Sequence, residues 1–201
     1  MKALQVRIIT AITVFTLLVL PIHAAAQVAP ERLCDTQFED CRAPLLTLIQ
    51  NETKGIDVAL WFIQDDLYVS ALINRFKAGV PVRILVDQRA NSSKALNELE
   101  IGKLRDAGIP IRDKFGGDIL HFKMMVFDGQ NVLEFSKANY TPEEFVPDQA
   151  NTNYFDEAIF FTNDSRLTNS FRRRFDDLWT DTTNFENFGN ISGPLVRRYP
   201  I

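Results

Sequence analysis

Histidine is nearly missing from this sequence: 201 residues hold two, His23 and His121, beside only two cysteines, Cys34 and Cys41. So few imidazoles and thiols leave no histidine-rich metal site, no second cysteine pair to close a zinc site, and no separate base for a serine nucleophile. A surplus of positive charge is missing too, with 22 basic residues against 26 acidic ones. That balance creates no general field for polyanions, so a phosphate-bearing ligand has to be held by a local basic site. Internal repeats and low-complexity tracts are absent, and the length suits one sizeable core.

Long apolar runs are reduced to one. Lys2 and Arg7 precede the stretch from Ile8 to Leu20, and Pro21 and Ala24-Ala25-Ala26 follow it. The run falls short of the roughly 20 residues of a membrane span, and the layout is that of a secretory signal over residues 1–26. Export to a periplasm or to the outside of the cell is the expectation. Loss of the signal removes two of the 22 basic residues and none of the 26 acidic ones, taking the net charge from -4 to -6. Residues 27–42 form an N-terminal arm with both cysteines, and in an oxidising compartment a disulfide between Cys34 and Cys41 is expected. On one continuous helix the two would stand about 10 Å apart, so the bridge requires Cys34 in an extended lead-in.

From Ala43 onward helical and strand-like patterns alternate. Leu45, Leu46, Leu48 and Ile49 mark a first helix that stops near Gly55, and Ile56 to Ile63 reads as a buried strand. Asp65 and Asp66 open a helix carrying Val69, Leu72, Ile73 and Phe76 on one face. Pro81 to Asp87 is a second buried strand, Ser92 or Ser93 caps a helix to Ala107, and Ile109 starts a short strand. This rhythm predicts an α/β fold with a largely parallel sheet covered by helices. Strands follow over Leu120–Phe127, Asn131–Phe135 and Tyr154–Phe161, the first two joined at Asp128-Gly129. A last helix, capped by Asn163, carries Leu167, Phe171, Phe175 and Leu178, with Arg172, Arg173 and Arg174 on a solvated face. Residues 181–201 read as a tail.

With His23 in the signal, His121 is the one histidine left. On a strand His121 and Lys123 project side by side, roughly 7 Å apart, while Phe122, Met124 and Val126 point to the opposite face. Asp128 ends that strand, and Ser136 and Asn139 lie at the exit of the next. A nucleophile, a fixed positive charge and neutral donors are the groups that phosphate chemistry requires.

The run His-x-Lys-x-x-x-x-Asp at His121, Lys123 and Asp128, followed by Ser136 and Asn139, resembles the signature of the phospholipase D superfamily. Val82–Asp87 and Gly108–Ile111 resemble the short bacterial exported endonucleases of that superfamily. The resemblance covers about residues 43–180 and implies a phospholipase D-like catalytic domain there, its mixed central sheet flanked by helices on both faces. It further implies metal-independent phosphodiester hydrolysis, without a cofactor, through a phosphohistidine. His121 is then nucleophile or acid, Lys123 and Asn139 bind phosphate, Ser136 supports the pocket, and Asp128 shapes the turn. An acid on a later strand, Asp156 or Glu157, orients the histidine; adjacent strand residues face opposite sides, so only one can serve. The family commonly reads Gly-Ser-x-Asn where this chain has Phe135-Ser136-Lys137-Ala138-Asn139, which puts substrate and rate in question more than membership.

Such a mechanism uses two histidines and the mature chain has one. The expectation is a homodimer with His121 from each copy facing a shared site, although one half of a longer two-motif protein would satisfy the same count. Nucleic acid and phospholipid both remain as substrates. The alternatives in activity are a phosphatidyl transferase and a catalytically silent phosphate-binding module.

Overall fold

The computed structural model describes residues 31–152 and 155–199. The expected signal, Asn153 and Tyr154 lie outside them. Among the described residues, eight strands form one sheet in the order β1-β7-β6-β5-β2-β3-β4-β8. The strands are β1 (Glu31–Asp35), β2 (Ile56–Ala59), β3 (Val82–Asp87), β4 (Ile111–Lys114), β5 (Met124–Phe127), β6 (Val132–Ser136), β7 (Ala158–Thr162) and β8 (Phe185–Asn187). Parallel pairing is confined to β2–β3 and β3–β4, and all other neighbours run antiparallel. The sheet is therefore mixed as expected, but not largely parallel: the β-α-β rhythm ends at β4, and hairpins build the other half.

Helices cover both faces. On one side lie α1 (Arg42–Asn51), α2 (Asp66–Lys77) and α4 (Ala95–Asp106), whose Leu45, Leu48, Ile49, Tyr68, Leu72, Ile101 and Leu104 join Val58, Ile84, Met125 and Phe127 in the larger core. On the other, α6 (Ser165–Trp179) lays Phe175 and Trp179 against Ala59, Leu85, Met124, Val126 and Leu133. The alternation of β5 is what divides its side chains between these two cores. Two short helices, α3 (Gln88–Ser93) and α5 (Pro142–Phe145), follow β3 and β6.

Several boundaries differ from the sequence reading. Asp65 caps α2 as expected, its carboxylate accepting from Leu67 N–H at 2.9 Å. Ser92 and Ser93 instead end α3, and the cap of α4 is Lys94. Asp164, not Asn163, caps α6 by accepting from Arg166 N–H at 2.8 Å, as a carboxylate close to the positive helix end should. The turn between β5 and β6 spans Asp128 to Asn131 and closes on a left-handed Asn131, φ 53°. Buried Glu52 holds it by accepting from Gly129 N–H at 2.8 Å, where a side chain on Gly129 would collide with the Glu52 carboxylate.

The arm and the tail are also parts of the sheet. β1 pairs with β7 along its whole length, and a disulfide ties its Cys34 to Cys41 at the start of α1, Cα to Cα 5.8 Å. The extended lead-in that the bridge requires is thus β1 itself. At the far edge β8 pairs with β4, so residues 181–199 are not a loose tail: too short and polar to show a period, they are ordered by the sheet edge they complete.

Candidate active site

The carboxyl ends of β2 and β3, the start of β5, the end of β6 and the approach to β7 all meet along one edge of the sheet. There the ladder between β2 and β5 stops at the pair Ala59–Met124; beyond it the chain after β2 crosses to Tyr140, whose N–H donates to Phe62 O at 3.0 Å and whose carbonyl accepts from Gln64 N–H at 2.9 Å. The sheet parts at that point. His121 and Lys123 sit in the gap, on irregular chain just before β5 rather than inside a strand as the pattern predicted. Their alternation survives nonetheless, since Ser136 N–H still bonds Lys123 O at 3.2 Å and Phe122 packs toward Phe171 of α6.

The two side chains meet. Lys123 Nζ lies 3.2 Å from Nδ1 and 3.0 Å from Nε2 of His121, near-equal distances that set the ammonium against the ring rather than in line with either lone pair. His121 is exposed and Lys123 is only 4% exposed, so the imidazole faces the ligand side while the ammonium forms the floor. Burial, with the charge of Lys123 added, holds His121 below the ordinary imidazole value against an opposing pull from Asp87. That direction favours the uncharged ring, the form whose lone pair can attack. Burial also lowers Lys123, with Lys137 acting in the same direction and Glu144 and Glu157 opposing.

Two carboxylates that the sequence reading missed position this pair and its neighbour. Asp87, fully buried at the end of β3, accepts from Leu120 N–H at 2.7 Å and so fixes the chain that delivers His121. Glu144 of α5 accepts from Asn139 N–H at 2.6 Å and from Asn139 Nδ2 at 3.0 Å. Asn139 Oδ1 is buried without a partner. The sequence does carry a hint of Glu144: Thr141-Pro-Glu-Glu144 has the spacing of a capping box, but the carboxylate reaches past the cap to Asn139. Trp61, on the segment that peels away after β2, stands edge-on to His121 with ring centroids 5.2 Å apart.

Of the expected site residues, His121 meets Lys123, Ser136 N–H bonds Lys123 O, and Asn139 is held by Glu144, whose charge acts on Lys123. Glu157 joins them, since its charge acts on Lys123 and burial beside Glu144 raises its own carboxyl. Asp156 is exposed. Asp128 is a correction: it lies at the other end of β5, seven residues of chain from His121, about 20 Å for an extended segment. There it accepts from Tyr199 Oη at 2.5 Å and pairs with Arg172 at 3.2 Å and Arg198 at 3.3 Å. Its role in the turn stands, and a place among the reacting groups does not. Arg172 is thereby committed as well.

These features define an α/β domain with an anion-receptive histidine–lysine site where its mixed sheet parts. The chain belongs to the phospholipase D superfamily: residues 45–179 match the family described as cardiolipin synthase, phospholipase D-like domain. Among curated proteins it is similar to a mitochondrial cardiolipin hydrolase of Xenopus laevis, 26% identical over 137 residues, which are 68% of this chain and 60% of the relative. The chain therefore spans little more than half of that relative's length. Among solved structures it resembles the phospholipase D family member Nuc from Salmonella typhimurium, with TM-score 0.63 and 21% identity over 80% of this chain and 98% of that one. NucT from Helicobacter pylori gives TM-score 0.65 and 15% identity over 79% and 98%. At these identities the two structures speak for the fold alone.

Proposed function

We propose that this protein hydrolyses phosphodiesters by the two-step route of the phospholipase D type. His121 attacks phosphorus, forming an N–P bond as the P–O bond to the leaving group breaks. His121 of a second copy, starting as the imidazolium, gives its proton to the departing oxygen, then draws a proton from water as that water displaces the first histidine and breaks the N–P bond. Lys123 and the Asn139 amide stabilise the charge on the pentacoordinate centre. Glu157 is the acid favoured to orient the site, and no step calls on a metal. The observation that carries this reading is the pairing of an exposed His121 with a buried Lys123 at the parted sheet edge.

A single His121 per mature chain is the support for a twofold dimer across this face. The Cys34–Cys41 bridge supports a working place outside the reducing cytosol, in line with the signal-like residues 1–26. Nucleic acid and phospholipid are both phosphodiesters that the site could take, and the cardiolipin hydrolase relatives bear on the second.

The test is hydrolysis of bis(p-nitrophenyl) phosphate with chelator present. Wild type is expected to turn over and His121→Asn to lose about a thousandfold or more. Equal rates in the two would end the assignment, and an active monomer in light scattering would end the dimer. Trapping a phosphorylated His121 with labelled DNA and labelled phospholipid in parallel separates the two substrates.

A further inference from the structure

We propose that Lys137 is a second phosphate-binding residue, receiving a phosphate that neighbours the scissile diester. The loop from Ser136 to Asn139 is pinned at both ends: Ser136 N–H bonds Lys123 O, and Glu144 takes the backbone N–H and amide of Asn139. Between them Ala138 is buried, and Ser136 Oγ donates back to Ala138 O at 3.3 Å. Lys137 is the residue left at the crest, exposed, and it makes no hydrogen bond or ion pair with the described residues.

Its charge nevertheless reaches the site, acting on both Lys123 and Glu157. Glu144 and Glu157 act on Lys123 in the opposite sense, so the group is of mixed charge, and Lys137 is its exposed cation. Lys123 matches the single negative charge of a diester, and the added cation fits a second one. A substrate with one isolated phosphate leaves Lys137 idle; one with phosphates in succession uses both. This selectivity rests on the hydrolase reading above, whereas the binding it predicts does not.

The experiment compares thymidine 5′-(p-nitrophenyl phosphate) with the same ester bearing a 3′-phosphate. Wild type should prefer the second in kcat/KM, Lys137→Gln should reduce that preference about tenfold, and Lys137→Arg should restore most of it. Cardiolipin against phosphatidylglycerol vesicles makes the corresponding lipid pair, and a Lys137-dependent preference in that pair alone assigns the second phosphate to a lipid. No preference in either pair, or a preference that Lys137→Gln leaves intact, overturns the proposal. If no ester is cleaved, calorimetry with thymidine 3′,5′-bisphosphate against thymidine 5′-monophosphate decides. Tighter bisphosphate binding that is lost in Lys137→Gln keeps the inference while the hydrolase reading falls, and equal binding ends it.

Discussion

The two ends of the central strands carry polar clusters of opposite character. At the amino ends of β2 and β3, fully buried Asp57 faces Arg83, whose guanidinium holds it at 2.7 Å and Asp176 at 2.9 Å. Asp128, Arg172, Arg198 and Tyr199 complete the group, and the Arg83 guanidinium also lies 4.9 Å from the centre of the Phe175 ring. Three carboxylates thus meet three arginines. At the opposite edge Lys123 is buried with no salt bridge among the described residues, and His121 faces outward. A cluster that neutralises itself serves the fold; one left short of partners is available to a ligand.

Substitutions that separate stability from activity would break this contrast. The largest stability effect is expected for Arg83→Met, which takes the shared guanidinium from two buried aspartates: urea unfolding should show a loss of about 3–5 kcal/mol, with kcat/KM of the folded fraction within about twofold. A comparable loss of activity would mean that the two ends are coupled. Glu144→Ala frees the Asn139 amide and should lower kcat about tenfold with little change in Tm. The reverse pattern would move Glu144 to the structural group.

A smaller effect tests the buried acid beneath the site. Burial pushes Glu134 up to about 8, although Tyr140 Oη donates to it at 2.8 Å. A carboxyl raised in the folded state favours folding fully at pH below its unfolded value of 4.5 and loses that benefit as pH rises through about 8. Wild-type Tm should therefore decline across that window. Glu134→Gln should flatten the decline and melt about 2–4 °C higher near the top of it. Parallel pH curves for the two proteins would show that Glu134 does not titrate there.

Much of the scaffold was legible because it is periodic. The apolar runs of β3 and the i, i+3, i+4 spacing of α2 gave those elements almost to the residue, and the alternation around His121 gave its pairing with Lys123. What escaped was decided by neighbours distant in sequence. The strand expected from Leu120 begins only at Met124, because the chain after β2 bonds Tyr140 through Phe62 O and Gln64 N–H instead. Asp87 read as the last letter of a buried strand, and its bond to Leu120 spans 33 residues. Asp128 entered through its spacing in the motif, yet the spacing that placed it beside the histidine in print separates it by a strand's length in space. Between Asp156 and Glu157 no local pattern could choose; in the structure Asp156 is exposed, whereas the charge of Glu157 acts on Lys123.

Tyr199 gives the molecule a direction in time. Its hydroxyl donates to Asp57 Oδ2 at 2.8 Å across 142 residues of sequence, and its backbone N–H donates to Asp176 Oδ2 at 2.7 Å. A chain leaving the ribosome can have delivered every strand and helix described here and still lack the last donors to its buried carboxylates. Closing a contact across so long a stretch of chain carries a large loop-closure cost, which places this pairing among the slower ones to form.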